Sequence, residues 1–251
     1  DQRAGRAGRT GPGWCLRLWT EASHRARPAQ ETAEVQRIEL SSVVLSLKVW
    51  GEADLAAFPG FEAPAAGALE QAETLLRSLD ALDDSGVTPL GRQLVRWPTA
   101  PRLARLIVAA GEQGLLSRGC LAAALLSERD PFLRDGPRAP ARHAGSSDLL
   151  ERVVALEYFA RSGRTDTEAG RLHATGADRI LQSAKQLERI AADHAASPAE
   201  QVPVTPEDAL GQAVLAAFPD RLVRRREPTS PRGLMVGGHG VRLAPQSVVS
   251  R

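Results

Sequence analysis

Gln2-Arg3-Ala4-Gly5-Arg6-Ala7-Gly8-Arg9 sets an arginine at every third position and a glycine before each of the last two. Residues three apart share a helix face, so Arg6 and Arg9 on one turn present two guanidinium forks side by side. Planar forks with fixed donors match phosphate oxygens, and a positioned arginine stabilises charge that develops in phosphoryl transfer without forming a covalent bond. Gly5 and Gly8 remove side chains that would hold off a neighbouring domain. The bland reading of the same residues is an Arg/Gly tail of the RNA-binding kind. The adjoining residues favour order: Thr10-Gly11-Pro12-Gly13 closes the segment with a turn, and Cys15-Leu16-Arg17-Leu18-Trp19 alternates as a strand does. That strand would put Cys15, Arg17 and Trp19 on one face and Leu16 and Leu18 on the other.

Other residues that could do chemistry are sparse. No Gly-x-x-x-x-Gly-Lys-Ser/Thr loop and no Asp-Glu-x-His box occurs, and neither Lys48 nor Lys185 stands in a glycine-rich setting able to cradle phosphates. The chain by itself is therefore expected to show no ATPase activity. The histidines at 24, 143, 173, 194 and 239 have no carboxylate or cysteine companion at ligand spacing, which argues against a metal site, and His239 in Gly237-Gly-His-Gly240 reads as a turn residue. Cys15 and Cys120 read as ordinary buried thiols. Glu128, Arg129 and Asp130, just before Pro131, could touch RNA or a motor domain, or simply end a helix. Arg224-Arg225-Arg226 is either a solvated face or the border of an RNA channel.

The elements that must position these groups are mostly helices. Ile38, Leu40, Val43, Val44 and Leu47 recur at helical spacing up to Gly51, a C-cap residue. Leu69 to Leu79 repeats the pattern into the turn Asp83-Asp-Ser-Gly86, and Thr88-Pro89 supplies an N-cap and first-turn proline for a short helix ending before Pro98. Leu103 to Ala110 and Leu121 to Leu125 make a helical hairpin around Gly114, its second helix capped by Ser117. Residues 135–146 read as a loop, Ser147 caps a helix stopping near Gly163, and a longer helix covers 177–194. After a linker at 198–206 come a helix through Leu210, Val214 and Phe218, and two strands, 234–236 and 241–243, around a tight turn.

At 251 residues, with 43% hydrophobic and 25% charged side chains, the chain has room for two or three small domains of a soluble protein. An aromatic share of 4% points to cores packed from Leu, Val and Ala. No apolar run nears the roughly 18 residues of a membrane span, and the start, Asp1-Gln2-Arg3, has neither Met nor a signal-peptide core, so the chain reads as a cytoplasmic fragment with no membrane partner. The net charge of +2 is uneven: residues 1–27 carry six arginines against Asp1 and Glu21, residues 28–220 hold 19 basic and 27 acidic side chains, and residues 221–232 hold five arginines against Glu227. A free-standing nucleic-acid module is usually basic across its binding face, which the acidic middle is not.

Gln2 to Arg9 resembles motif VI of superfamily-2 helicases in its DEAH form, and the following Thr-Gly-Pro-Gly fits the same family. The likeness continues through Gln36 to Leu45, Ser78 to Asp83, Leu90-Gly-Arg92 and Pro101-Arg-Leu-Ala104. Leu126-Ser-Glu-Arg-Asp-Pro131, Phe218-Pro-Asp-Arg221 and Gly238-His-Gly240 are similar to the HrpB-type bacterial branch. The family's proline run is missing at Phe58-Pro-Gly-Phe61, where only Pro64 follows in Glu62-Ala-Pro-Ala65. The resemblance implies a mainly α chain: residues 1–27 end a RecA-like α/β domain, 28–98 form a winged-helix domain, 99–200 a helical ratchet, and 201–251 start a small β domain. It further implies a DEAH-box ATP-dependent RNA helicase that moves 3′ to 5′, with Gln2, Arg6 and Arg9 at the ATP site and Arg6 and Arg9 acting on the transition state. Its cofactor is ATP with Mg, and its partners are single-stranded RNA or another nucleic acid and upstream RecA-like motor domains. The other class of function is a winged-helix or helical-bundle binding module that never meets ATP. An in-frame phosphate loop encoded upstream of Asp1 would separate the two.

Overall fold

The computed structural model of the chain describes residues 2–28, 31–52, 54–60, 62–133, 145–192, 205–227, 230–245 and 247–249, without the side chains of Gln2 and Arg3. The expected loop at 135–146 falls outside the described residues except at 145–146, as do most of the linker at 198–206 and the expected helix end at 193–194. The fold is mainly helical with small antiparallel sheets, and it divides into two units: residues 1–38 with 61–65, and residues 39–60 with 66–251.

The first unit holds the arginine-glycine segment. Its helix α1 spans Gln2–Ala7, and α2 spans Glu21–Arg25, where the Thr20 hydroxyl accepts from the Ser23 amide at 3.2 Å. A single 3-10 turn, Glu34–Gln36, comes next. No strand forms at 15–19. Trp14, Leu16 and Leu18 are instead 99%, 85% and 86% exposed. Alternation licenses a strand, but a strand is held by ladder bonds to a neighbour, and this unit offers none among the described residues. Gly13 is needed where the chain returns on α1, because a Cβ there would run into the Ala7 carbonyl.

The second unit opens with α3 (Ser41–Trp50), stopped by Gly51 at φ 99°, and α4 (Ala68–Ser78), tied to α3 by Lys48 and Glu73 at 2.8 Å. A two-stranded ribbon, β1 (Leu82–Asp83) with β2 (Gly86–Val87), leads into α5 (Pro89–Leu94). Thr88 caps α5 as expected, its Oγ1 accepting from the Gly91 amide at 2.9 Å and donating to the Asp80 carbonyl at 2.6 Å. Gly91 lies so close to the Ala81 carbonyl that a Cβ would collide with it.

The core is a helical hairpin, α6 (Pro101–Glu112) and α7 (Leu116–Ser127). Leu106, Ile107, Cys120 and Ala124 are buried there. Ser117 does not cap α7. The turn through Gly114, at φ 71°, folds the Leu115 amide onto the Ala110 carbonyl at 2.8 Å, so Leu115 takes the N-cap position, two residues before Ser117, without a side-chain cap. Helix α8 (Asp148–Ser162) is capped by Ser147 and closed by Gly163 at φ 70°, as the sequence predicts. An unexpected ribbon, β3 (Asp166–Thr167) with β4 (Gly170–Arg171), precedes α9 (Ala174–Ala192), which packs along α7. Helix α10 (Pro206–Ala217), capped by Thr205, lies on α6, and Ala213 joins Ala109 and Ala110 in one buried cluster. Three antiparallel strands end the chain in the order β5 (Val223–Arg225), β6 (Arg232–Met235), β7 (Gly240–Arg242).

Candidate functional site

Arg6 sits in the last turn of α1 and Arg9 in the turn beyond it, both exposed. The side chain of Gln2 lies outside the described residues. A Cβ built on Gly5 or Gly8 meets nothing within 4 Å, so the glycines leave an open surface between the two arginines. No described group in the first unit neutralises Arg6 or Arg9 by an ion pair.

The arginine run at 224–226 is divided by the sheet. Arg224 stands opposite Leu234 and Arg225 opposite Gly233, and side chains of neighbours along a strand leave on opposite faces. Arg225 is half-buried, and its Nη2 donates to the Val249 carbonyl at 3.4 Å. Arg224 and Arg226 are exposed on the other face. The register adds two residues that run-counting in the sequence cannot find: Arg232, whose carbonyl accepts from the Arg226 amide at 3.1 Å, and Arg242, directly across from Arg232. Arg226, Arg232 and Arg242 thus form one row across three strands, with Arg224 one step along β5. The turn between β6 and β7 rests on Gly237 and Gly238, both at φ 84°, and the His239 carbonyl accepts from the Met235 amide at 2.9 Å, a hairpin role for that histidine.

Several motif residues serve the scaffold instead. Arg102, in the Pro101 to Ala104 motif, grips both carboxylate oxygens of Asp220 at 2.6 and 2.8 Å, donates to the Ala217 carbonyl at 3.2 Å, and lies 5.4 Å over the Phe218 ring. Two motifs 118 residues apart are therefore halves of one clamp between α6 and the end of α10. The Arg102 hydrogen bonds hold the Asp220 carboxyl below the usual carboxylate range. Glu128 accepts from the Ser183 hydroxyl at 3.3 Å and Asp130 pairs with Arg152 at 3.1 Å, which fixes the end of α7 to α9 and α8. Arg118 and Glu157 form a two-pronged pair at 2.8 and 3.1 Å between α7 and α8, and the Glu157 bond pushes the guanidinium further up. Burial pushes the Cys120 thiol up to about 12, so it stays protonated and unreactive. Cys15, expected to be buried, is exposed, because the strand that would have covered it does not form.

Residues 100–196 match the helicase associated domain (HA2), ratchet-like. Over 172 residues the chain is 38% identical to the ATP-dependent RNA helicase HrpA of Escherichia coli strain K12, covering 63% of this chain and 13% of that protein. It is 41% identical over 145 residues to the pre-mRNA-splicing factor ATP-dependent RNA helicase prp22 of Schizosaccharomyces pombe, covering 57% of this chain and 12% of that one. The crystal structure of the Escherichia coli DEAH/RHA helicase HrpB matches the whole chain with a TM-score of 0.64 at 25% identity, over 27% of its own length. The chain is similar to the C-terminal region of DEAH-box helicases. It spans about an eighth of these curated relatives and about a quarter of the HrpB structure.

The buried hairpin and the α9 packing fall within the stretch that matches the ratchet-like domain, whereas α10, which packs on α6, lies beyond it. Among the described residues, no helix is long and apolar enough to cross a membrane, and no group of three metal-ligating side chains comes together.

Proposed function

We propose that this chain is the C-terminal portion of an ATP-dependent DEAH-box RNA helicase of the HrpB type. The observation that carries the reading is the structural match to HrpB over the whole chain together with the ratchet-like match at 100–196. In the proposed assignment, residues 1–27 end the second RecA-like domain, 28–98 form the winged helix, 99–200 the ratchet, and 201–251 begin the C-terminal domain. Gln2, Arg6 and Arg9 complete an ATP site whose phosphate loop and Mg ligands belong to upstream motor domains. The accessory domains guide a single strand of RNA as ATP is hydrolysed. Two exposed guanidinium groups on an open glycine surface suit this role, because a positioned arginine acts mainly on charge in the transition state.

The test uses a protein that joins this segment to its motor. There Arg6→Ala or Arg9→Ala should lower RNA-stimulated ATP turnover by roughly 10² or more while changing nucleotide binding far less. Unchanged turnover in both variants would remove these residues from the site. A second reading, a binding module without ATP chemistry, draws support from the exposed arginine face on the C-terminal sheet. A reading frame upstream of Asp1 that encodes a phosphate loop and an acidic box favours the helicase, and its absence favours the module.

A further inference from the structure

We infer that the groove along the outer side of α8 docks an extended peptide segment of a partner protein, one in which basic and apolar side chains alternate. The inference goes beyond the helicase reading and does not depend on it. The groove has a volume of about 870 Å³ and lies between α8, the turn that joins β3 to β4, and the first turn of α10. Its floor is one stripe of α8, where Leu150, Val154, Ala155 and Tyr158 recur at helical spacing. The other stripe of the same helix, Val153, Leu156 and Phe159, is buried in the core. Val154 is left 43% exposed at the middle of the floor, a branched apolar side chain with nothing laid over it.

Carboxylates stand around that floor: Glu151 on α8, Asp166 on β3, Glu168 in the β3–β4 turn and Glu207 at the start of α10, with Arg161 as the one lining cation. Asp166 is shared with Arg171 at 3.7 Å, whereas Glu168 and Glu207 are exposed to the groove mouth. The backbone beneath both is fixed. The Thr167 hydroxyl donates to the Gly170 carbonyl at 2.6 Å across the turn that carries Glu168, and the Thr205 Oγ1 accepts from the Asp208 amide at 3.1 Å beside Glu207. A rim on ordered backbone leaves less entropy to be lost when a cation arrives. An apolar floor inside a polar rim is the anatomy of a protein interface, and the charge of this rim repels phosphate while matching lysine and arginine. From Leu150 to Arg161 the floor runs about 16 Å at ~1.5 Å per residue, the length of about five extended residues. In an extended segment alternate side chains leave on opposite faces, so one set can settle on Val154 and Tyr158 while the other stays level with the carboxylates.

The experiment titrates the 251-residue chain into a fluorescent, end-capped peptide Arg-Leu-Arg-Leu-Arg at low salt and follows its anisotropy. A peptide of the same composition, Leu-Leu-Arg-Arg-Arg, should bind severalfold more weakly, because its leucines leave on opposite faces. The double variant Glu168→Gln, Glu207→Gln should weaken binding of the alternating peptide by about fivefold or more, the sum of two rim charges acting through water. Val154→Lys, which removes the apolar floor and adds a like charge, should weaken it by about tenfold or more. A charge-matched control away from the groove, Glu62→Gln with Glu70→Gln, should stay within about twofold of the parent. Should Val154→Lys fail to fold, the rim variant, which alters exposed carboxylates, still decides. Equal losses in the rim variant and the control would overturn the proposal in favour of net charge. Equal binding of the two peptides, untouched by Val154→Lys, would overturn the apolar floor, and the absence of any saturable rise in anisotropy would overturn the groove as a peptide site. Self-association of the chain in sedimentation, lost in Val154→Lys and competing with the peptide, would overturn it in favour of a second copy. None of these outcomes bears on turnover in the Arg6 and Arg9 variants, which decides the helicase reading.

Discussion

Arg102 and Asp220 illustrate how a motif residue can be held by its partner rather than by a ligand. Each belongs to a short stretch that resembles the helicase family, and each invites a functional role when read alone. Together they form a clamp with two charge-assisted bonds, a backbone bond and a ring contact, which engage three of the five guanidinium donors of Arg102 and fix its position. Asp220 is 43% exposed at its side chain, so solvent screening limits what the pair contributes. Asp220→Asn should lower stability at neutral pH by about 1 kcal/mol. The folded carboxyl titrates below its unfolded value, so the contribution is fully present above the ordinary carboxylate range and disappears as pH falls through the depressed folded value. The gap between parent and variant should therefore close on acidification below about pH 4. Thermal melts of both proteins from about pH 7 down to about pH 3 would show it, and a gap that stayed constant would mean that Asp220 acts by shape and not by charge.

At the scale of elements, the helical hairpin α6–α7 depends on one close approach. A Cβ on Gly119 would lie 2.5 Å from the Ala110 Cβ and 3.5 Å from the Ile107 Cα, both fixed by the facing helix. Alanine is the better helix former by up to about 1 kcal/mol, which on propensity alone predicts that Gly119→Ala stabilises α7. Packing reverses the sign: the methyl group has no flexible neighbour to push aside, and overpacking costs roughly 1–3 kcal/mol. Gly119→Ala should thus lose about 1–2 kcal/mol net in chemical denaturation, whereas Gly111→Ala, whose nearest neighbour is the end of the Leu116 side chain at 3.4 Å, should change stability little. Equal effects of the two would remove the helix crossing at Gly119 as the cause. The sheet obeys the same constraint, since Gly233 is buried where a Cβ would strike the Val223 side chain.

For the whole molecule, the two units differ in what holds them. Within residues 39–60 with 66–251, helices α6, α7, α9 and α10 share buried alanine and leucine side chains, and their backbone bonds are shielded. Within residues 1–38 with 61–65, α2 and the Glu34–Gln36 turn carry no buried residue, and the large apolar side chains of Trp14, Leu16 and Leu18 face solvent. Ordering a residue costs about 1–2 kcal/mol of backbone entropy, which so little burial offsets poorly. Hydrogen exchange on the 251-residue chain should therefore show amides from 14 to 19 exchanging near the unprotected rate, with strong protection in α6 and α7. Protection at Leu16 and Leu18 comparable to that of Ile107 would mean that the first unit is held by burial after all.

The sequence by itself determined the helical class, the caps at Gly51, Thr88, Ser147 and Gly163, and the resemblance at Gln2 to Arg9, because each is written in a local period or in neighbouring residues. Ser117 misled as a cap because Gly114 turned the chain early enough for Leu116 to start the helix. Residues 15–19 misled as a strand because alternation records a preference while a ladder needs a partner. Only the tertiary structure decided which arginines stand together. Register separated Arg225 from Arg224 and brought Arg232 and Arg242 to the same face, and a period of two along a strand means that adjacency in sequence places side chains on opposite sides. Tertiary structure likewise joined Arg102 to Asp220 across 118 residues, a pairing no window of sequence contains.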